Sequence, residues 1–315
     1  MDYLDKIFGD KDITESSKKL YCKNILRLHG GTEIKNLSFL KDEKKIMEKL
    51  AKYKPNTQRT YIISIVSLLK SASKDDAKVK KMLEKYTKLM DNFNTELKSN
   101  TEPNEKEKEN WMSEADINAR KEELEKEVAG FKKTITEDQF GDLQKLLLLS
   151  LYTDQRPRRN LDYQDMLIVK KEVADLPTDK NYLFLDTNRF VFNNFKTKKS
   201  KGSQVEAISP TLRKIIDIYI KVFPLAKSLK SKDILAVPFL VSWKGEKYTN
   251  NNDMTRLMYR IFDKKVGSSQ FRKMFLTGKY GKVLEDLKAD TNAMGTSVNM
   301  AENQYIKNGM HTETD

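Results

Sequence analysis

Apolar residues recur along this chain mostly at helical spacing, in two blocks separated by a stretch that has almost none. In SSKKLYCKNILRLHGG, Leu20, Ile25 and Leu26 recur near the 3.6-residue period, and Gly30 with Gly31 closes the segment as a helix stop. A second helix is predicted over residues 43–53, ending ahead of Pro55. NTQRTYIISIVSLLKSAS opens on Asn56 as a capping residue and carries an apolar face of Ile62, Ile63, Ile65, Val66, Leu68 and Leu69. The next segment, KDDAKVKKMLEKYTKLMDNFNTELK, continues as an amphipathic helix with Val79, Met82, Leu83, Tyr86, Leu89 and Met90 on one stripe.

The pattern then changes. NTEPNEKEKEN holds no apolar residue and reads as a linker, and EADINARKEELEKEVAGFKK reads as a charged arm helix with solvated faces. A buried helix starts after Thr136 in ITEDQFGDLQKLLLLSLYTD. MLIV, YLFLD, RFVFNNF and VEAIS follow as short strands, with the basic turn KTKKSKGSQ before the last of them. PTLRKIIDIYIKVFPL, DMTRLMYRIFDKKV, SSQFRKMFLTGKYG and VLEDLKADTNAMG read as helical. The expected chain is mainly α with a small antiparallel β-sheet, divided into a helical unit over residues 1–100, a charged linker over 101–133 and a second domain over 134–315.

Composition narrows the classes of partner. The net charge of +13 comes from 59 Lys and Arg against 46 Asp and Glu in 315 residues, an electrostatic footprint for a polyanion. One cysteine, Cys22, excludes an internal disulfide and a cysteine-based zinc cluster, and fits a reducing compartment. No apolar run approaches the roughly 18 residues a membrane span needs, so the expectation is a soluble intracellular protein without a membrane partner. There is no phosphate-binding G-x-x-x-x-G-K-[ST] loop and no H-E-x-x-H.

The candidate chemistry lies in LYTDQRPRRNLDY, with Arg156, Arg158 and Arg159, in SSQFRK, with Arg272, and at Tyr305. A phenol is a poor nucleophile at neutral pH and needs cations around the group it attacks. Two guanidinium forks and a tyrosine suit a phosphodiester, because each fork grips two non-bridging oxygens.

These residues resemble the tyrosine recombinase (integrase) family. Its second catalytic box reads H-x-x-R, and its nucleophile stands nine residues after a G-H dipeptide; here SQFR keeps Arg272, and Gly295-Thr296 stands nine before Tyr305. Arg159-Asn160-Leu161-Asp162 supplies the family's R-x-x-D, with Asp162 expected to orient the guanidinium, and PRRN-x-DY resembles the branch found in large DNA viruses and their mobile elements. Arg156 and Arg158 remain rivals of Arg159. Both histidines are replaced, by Ser269 and Thr296, which keep hydrogen bonding without titrating near neutrality. His311, six residues after Tyr305, lies outside the catalytic positions.

The resemblance implies a DNA breaking-rejoining catalytic domain preceded by a helical, SAM-like core-binding domain, closing together on double-stranded DNA. It implies a site-specific recombinase or integrase that works without metal or small-molecule cofactor and assembles as a tetramer on DNA. In that scheme Tyr305 attacks, Arg159 and Arg272 hold the phosphate, and Lys196, in a K-T dipeptide of a β-hairpin, protonates the leaving 5′-oxygen. Lys198, Lys199 and Lys201 on the same turn, Lys273 beside Arg272, and Asn56, Thr57, Gln58 and Arg59 at a helix start are candidate DNA contacts. Two alternatives stay open: a type IB topoisomerase-like enzyme that relaxes DNA, and a non-cleaving DNA-binding protein on a degenerate recombinase fold. A viral compartment, a host nucleus or a nucleoid would each suit such an activity.

Overall fold

The structure is a computed structural model of the chain and describes residues 3–9, 11–72, 76–99, 102–132, 134–173, 176–231, 234–250 and 252–307. It divides into two compact units, Met1–Pro103 and Asn104–Asp315.

The first unit is helical: α1 (Tyr3–Phe8), α2 (Glu15–His29), α3 (Glu43–Leu50), α4 (Pro55–Ala72) and α5 (Ala77–Ser99). α4 is its axis, because Ile62, Ile65, Val66, Leu68 and Leu69 leave almost no polar face and must be covered from several sides. α1, α2 and α5 cover it. Asn24 on α2 is buried and donates to Ser64 Oγ at 3.0 Å, satisfying a polar group that would otherwise oppose this packing. The Gly30 stop is real: its φ of +94° ends α2 in the left-handed region. Two details differ from the sequence reading. α2 buries Ile25 and Leu28 and leaves Leu20 exposed. Asn56 lies inside the first turn of α4 and is not its cap, because Pro55 has no N–H to lose there, and Thr57 N and Gln58 N donate to Lys54 O at 2.8 and 3.0 Å.

The second unit begins with α6 (Glu105–Glu109) and α7 (Glu114–Ala129), each started by a reciprocal capping box, Asn104 with Glu107 and Ser113 with Asp116. Both helices lie within the stretch read as linker and arm, and α7 buries Ile117, Leu124 and Val128 in the core it shares with α8 (Glu137–Thr153). These three residues were hidden among charges, at a spacing that still forms one stripe. α8 is apolar on nearly all sides and is the central helix, packed by α7, α11 (Pro210–Val222), α13 (Asp253–Phe262) and α14 (Ser268–Ala293). Between α8 and α11 come α9 (Asn160–Gln164), β1 (Leu167–Val169), β2 (Tyr182–Phe184), β3 (Arg189–Phe192), α10 (Lys198–Lys201) and β4 (Gln204–Ala207); α12 (Ala226–Lys230) and β5 (Val237–Pro238) precede α13.

The sheet has five strands in the order β4-β3-β2-β1-β5 and is mixed, which corrects the expected antiparallel sheet. β1 and β2 run parallel, with Leu167 opposite Tyr182, while the other pairs are antiparallel. The chain over 170–181 is long enough to return β2 in the same direction, whereas a tight hairpin would have reversed it. A further detail concerns α14. The segments read as helical over residues 268–281 and 283–295 join in one helix that stops at Ala293, because Gly278 and Gly281 tolerate helical geometry and no proline interrupts the run. α15 (Val298–Met300) and a π-helical turn, Ala301–Tyr305, follow. No helix among the described residues is long and apolar enough to cross a membrane.

Candidate functional site

The three neighbouring arginines after α8 fall into different surroundings. Arg156 is exposed. Arg158 turns inward: its guanidinium stacks 3.7 Å from the Phe192 ring centre, its Nε donates to Asp162 Oδ2 at 3.0 Å and its Nη1 to Gln204 Oε1 at 2.8 Å, and its side chain is only 11% exposed. Asp162 therefore orients Arg158 and not Arg159, contrary to the R-x-x-D expectation, because Phe192 and Gln204 offer Arg158 a stacking face and an acceptor. Arg159 caps the start of α9 with an extended backbone, and its half-buried side chain has no carboxylate in ion-pair contact among the described residues.

Arg272 lies in the second turn of α14. Its Nη2 donates to Ser269 Oγ at 3.1 Å and its Nε to Ser268 O at 3.3 Å, and it too lacks an ion-pair partner among the described residues. Burial lowers its pKa from the ordinary arginine value, and the positive charge of Arg159 lowers it further, while Asp162 and Tyr152 oppose. Arg159 and Arg272 therefore share one electrostatic environment although they are far apart in sequence. Tyr152 holds that arrangement: its ring stacks on Phe271 at 5.5 Å, its hydroxyl donates to Asn160 Oδ1 at 2.8 Å, and Asn160 Nδ2 donates to Thr255 Oγ1 at 2.9 Å. α8, α9, α13 and α14 are tied together directly behind the two arginines.

Burial raises the pKa of Asp162 from the usual carboxylate value, against the pull of Arg158 and Arg159. The basic turn is anchored to the same carboxylate's neighbourhood by Asn181. This buried residue donates to Asp162 O and Asn194 O at 2.9 and 2.8 Å, and its Oδ1 accepts from the backbone of Asn193 and Asn194. Lys196 follows two residues later and is exposed; Lys198 donates to Ser203 Oγ, and Lys199 and Lys201 are exposed on the same turn. Lys273 pairs with Glu107 of α6, and this contact holds the Glu107 carboxyl below its usual pKa.

Tyr305 ends the π-helical turn and is 59% exposed. Gly295, at φ +68°, makes the left-handed stop after α14, and Thr296 N donates to Thr291 O at 2.9 Å. No hydrogen bond joins Tyr305 to Arg159, Arg272 or Lys196 among the described residues. His311 lies outside the described residues.

In the first unit, Gln58 Nε2 donates to Tyr53 O at 2.7 Å and Arg59 Nε to Asn94 Oδ1 at 2.5 Å, so both side chains are engaged internally, while Asn56 and Thr57 are exposed.

The residues missed from sequence are those that position others: Tyr152, Asn160, Asn181, Phe192 and Gln204. A lone asparagine directly before the apolar run YLFLD was the one visible signal, since a polar group at the head of a buried strand must find partners. A cavity of about 480 Å³ lies beside α14, lined by Trp111, Met112, Ile117, Tyr152, Phe271 and Met274 among others, and neither arginine lines it. No protein-family model and no curated protein matches the chain.

Proposed function

We propose that this protein cuts and rejoins duplex DNA through a phosphotyrosyl intermediate, as a tyrosine recombinase. The observation that carries the reading is the convergence of Arg159 and Arg272, two cations in each other's field with no carboxylate in ion-pair contact among the described residues. Asp162 acts on both cations without an ion pair to either, and a scissile phosphate would offer oxygens to both forks.

In this reading the Tyr305 oxygen attacks phosphorus and its proton passes to solvent. The bond to the 5′-oxygen breaks, and that oxygen takes a proton from the Lys196 ammonium. Arg159 and Arg272 stabilise the negative charge of the crowded phosphorus, Ser269 holds Arg272, and Thr296 hydrogen-bonds a phosphate oxygen. Attack by a different 5′-hydroxyl on the phosphotyrosine reseals the strand. Arg156, Lys198, Lys199 and Lys201, with Asn56 and Thr57 of the first unit, contact the DNA backbone, whereas Arg158 and Lys273, each paired with a carboxylate, keep structural roles. Strand exchange proceeds in a tetramer on paired sites. No metal or small-molecule cofactor enters these steps.

Two observations favour a second reading, a DNA-binding protein that does not cleave: Tyr305 has no hydrogen bond to the cationic groups among the described residues, and Ser269 and Thr296 stand at the two histidine positions. The test is a nicked duplex, selected by the protein from a random-sequence pool, that traps a covalent intermediate. Cleavage predicts a denaturation-resistant adduct that disappears in Tyr305→Phe. Tight, specific binding without an adduct would transfer the conclusion to the second reading.

A further inference from the structure

Phe271 and Met274 bury the proximal part of α14, but Leu276, Tyr280, Val283 and Leu284 on its distal part are between 43% and 64% exposed. Leu276, Tyr280, Val283 and Leu287 follow the alternating four- and three-residue steps of a two-helix seam. Gly278 and Gly281 lie within this stretch and weaken it as an isolated helix. An apolar seam on a glycine-weakened helix calls for a covering partner.

The charges specify which partner. Lys279 and Asp286 flank the seam one heptad apart, and neither has an ion-pair partner among the described residues; the Lys279 ammonium lies only against the ring of Tyr280, at 5.2 Å. Turned antiparallel against an identical helix, Leu276 meets the second copy's Leu287, Tyr280 meets its Val283, and Lys279 meets its Asp286, twice by symmetry. A parallel pair would instead set Lys279 against Leu284 and Asp286 against Thr291, leaving both charges unmatched.

We propose that the distal half of α14 is a homodimer interface, an antiparallel two-helix seam made with a second copy of this chain. The interface is isologous, so one surface complements itself. It does not rest on the cleavage reading, and the test contains no DNA. Sedimentation of the full chain from about 1 to 200 µM should show the mass rising towards twice the monomer, as expected for a short seam of modest affinity. Val283→Asp should hold the protein monomeric with its helix content by circular dichroism unchanged. Lys279→Glu and Asp286→Lys should each be monomeric alone, since each sets like charges together, and should form a heterodimer when mixed, since the mixture restores both pairs. A wild-type protein that stays monomeric throughout overturns the proposal. So does a dimer that survives Val283→Asp, or a mixture of the two charge variants that fails to associate.

Discussion

Arg158 and Arg159 are adjacent in sequence and opposite in circumstance. Arg158 has its counter-charge built in, lying on Phe192 and bonded to Asp162, whereas Arg159 approaches a second cation, Arg272, with no carboxylate in ion-pair contact among the described residues. The difference separates an arginine satisfied within the protein from one that has no ion pair among the described residues. A buried ion pair stabilises mainly in the sense that removing one member strands the other, while Arg159 and Arg272 feel Asp162 only as a field and keep their guanidiniums free of an ion pair among the described residues.

The largest expected effect breaks the comparison at its first member. Arg158→Ala leaves Asp162, whose side chain is only 4% exposed, without its counter-ion, and should destabilise the protein by about 3 kcal/mol. Arg159→Ala should change stability by less than about 0.5 kcal/mol yet slow adduct formation by about 100-fold or more. Denaturant melts and single-turnover trapping of both variants check the split. Equal destabilisation by the two would remove the distinction.

The next effect is read in pH. Burial raises the folded-state pKa of Asp162, so between the unfolded value near 3.9 and the raised one the native state binds more protons than the unfolded state. The contribution of this site to stability is therefore greatest at low pH and falls as pH rises through the raised pKa. Asp162→Asn has no such titration. The stability of the wild type minus that of the variant should decline as pH is raised from about 4 and level off above the folded pKa. A difference that grows over that range would mean that the field of Arg158 outweighs burial.

Why the sequence separated some of these features and not others is a matter of range. The helices of the first unit follow from local periodicity, and Gly30 marks a stop that needs a positive φ, so these were legible. The parallel pairing of β1 and β2 depends on how a long connection returns, and no residue in MLIV or YLFLD encodes strand direction. The surroundings that set Arg158 apart from Arg156 and Arg159 were out of reach locally, because Phe192 and Gln204 arrive from distant strands. The Tyr305 spacing was legible as a motif, while the company its hydroxyl keeps is a tertiary property. The apolar residues of α7 were visible, but their neighbours' charge concealed that they face a core.

The smallest effect sharpens the comparison at Arg272. Ser269 Oγ accepts from Arg272 Nη2 at 3.1 Å from one helical turn away, on an exposed surface where one such bond contributes on the order of 1 kcal/mol at most. Ser269→Ala should leave the melting curve nearly unchanged and slow adduct formation by up to about tenfold, because the guanidinium keeps its charge and loses only part of its orientation. Ser269→Thr retains the hydroxyl and should recover most of the rate, which a purely steric role would not predict. Ser269→His would supply the group that the resemblance implies at this position. If an ionisable partner can share the proton transfers, the rate should rise above wild type on the alkaline side of the imidazole pKa, near 6.5, where the ring is a neutral base. A rate indifferent to both replacements would confine Ser269 to the surface and leave Arg272 to act unassisted.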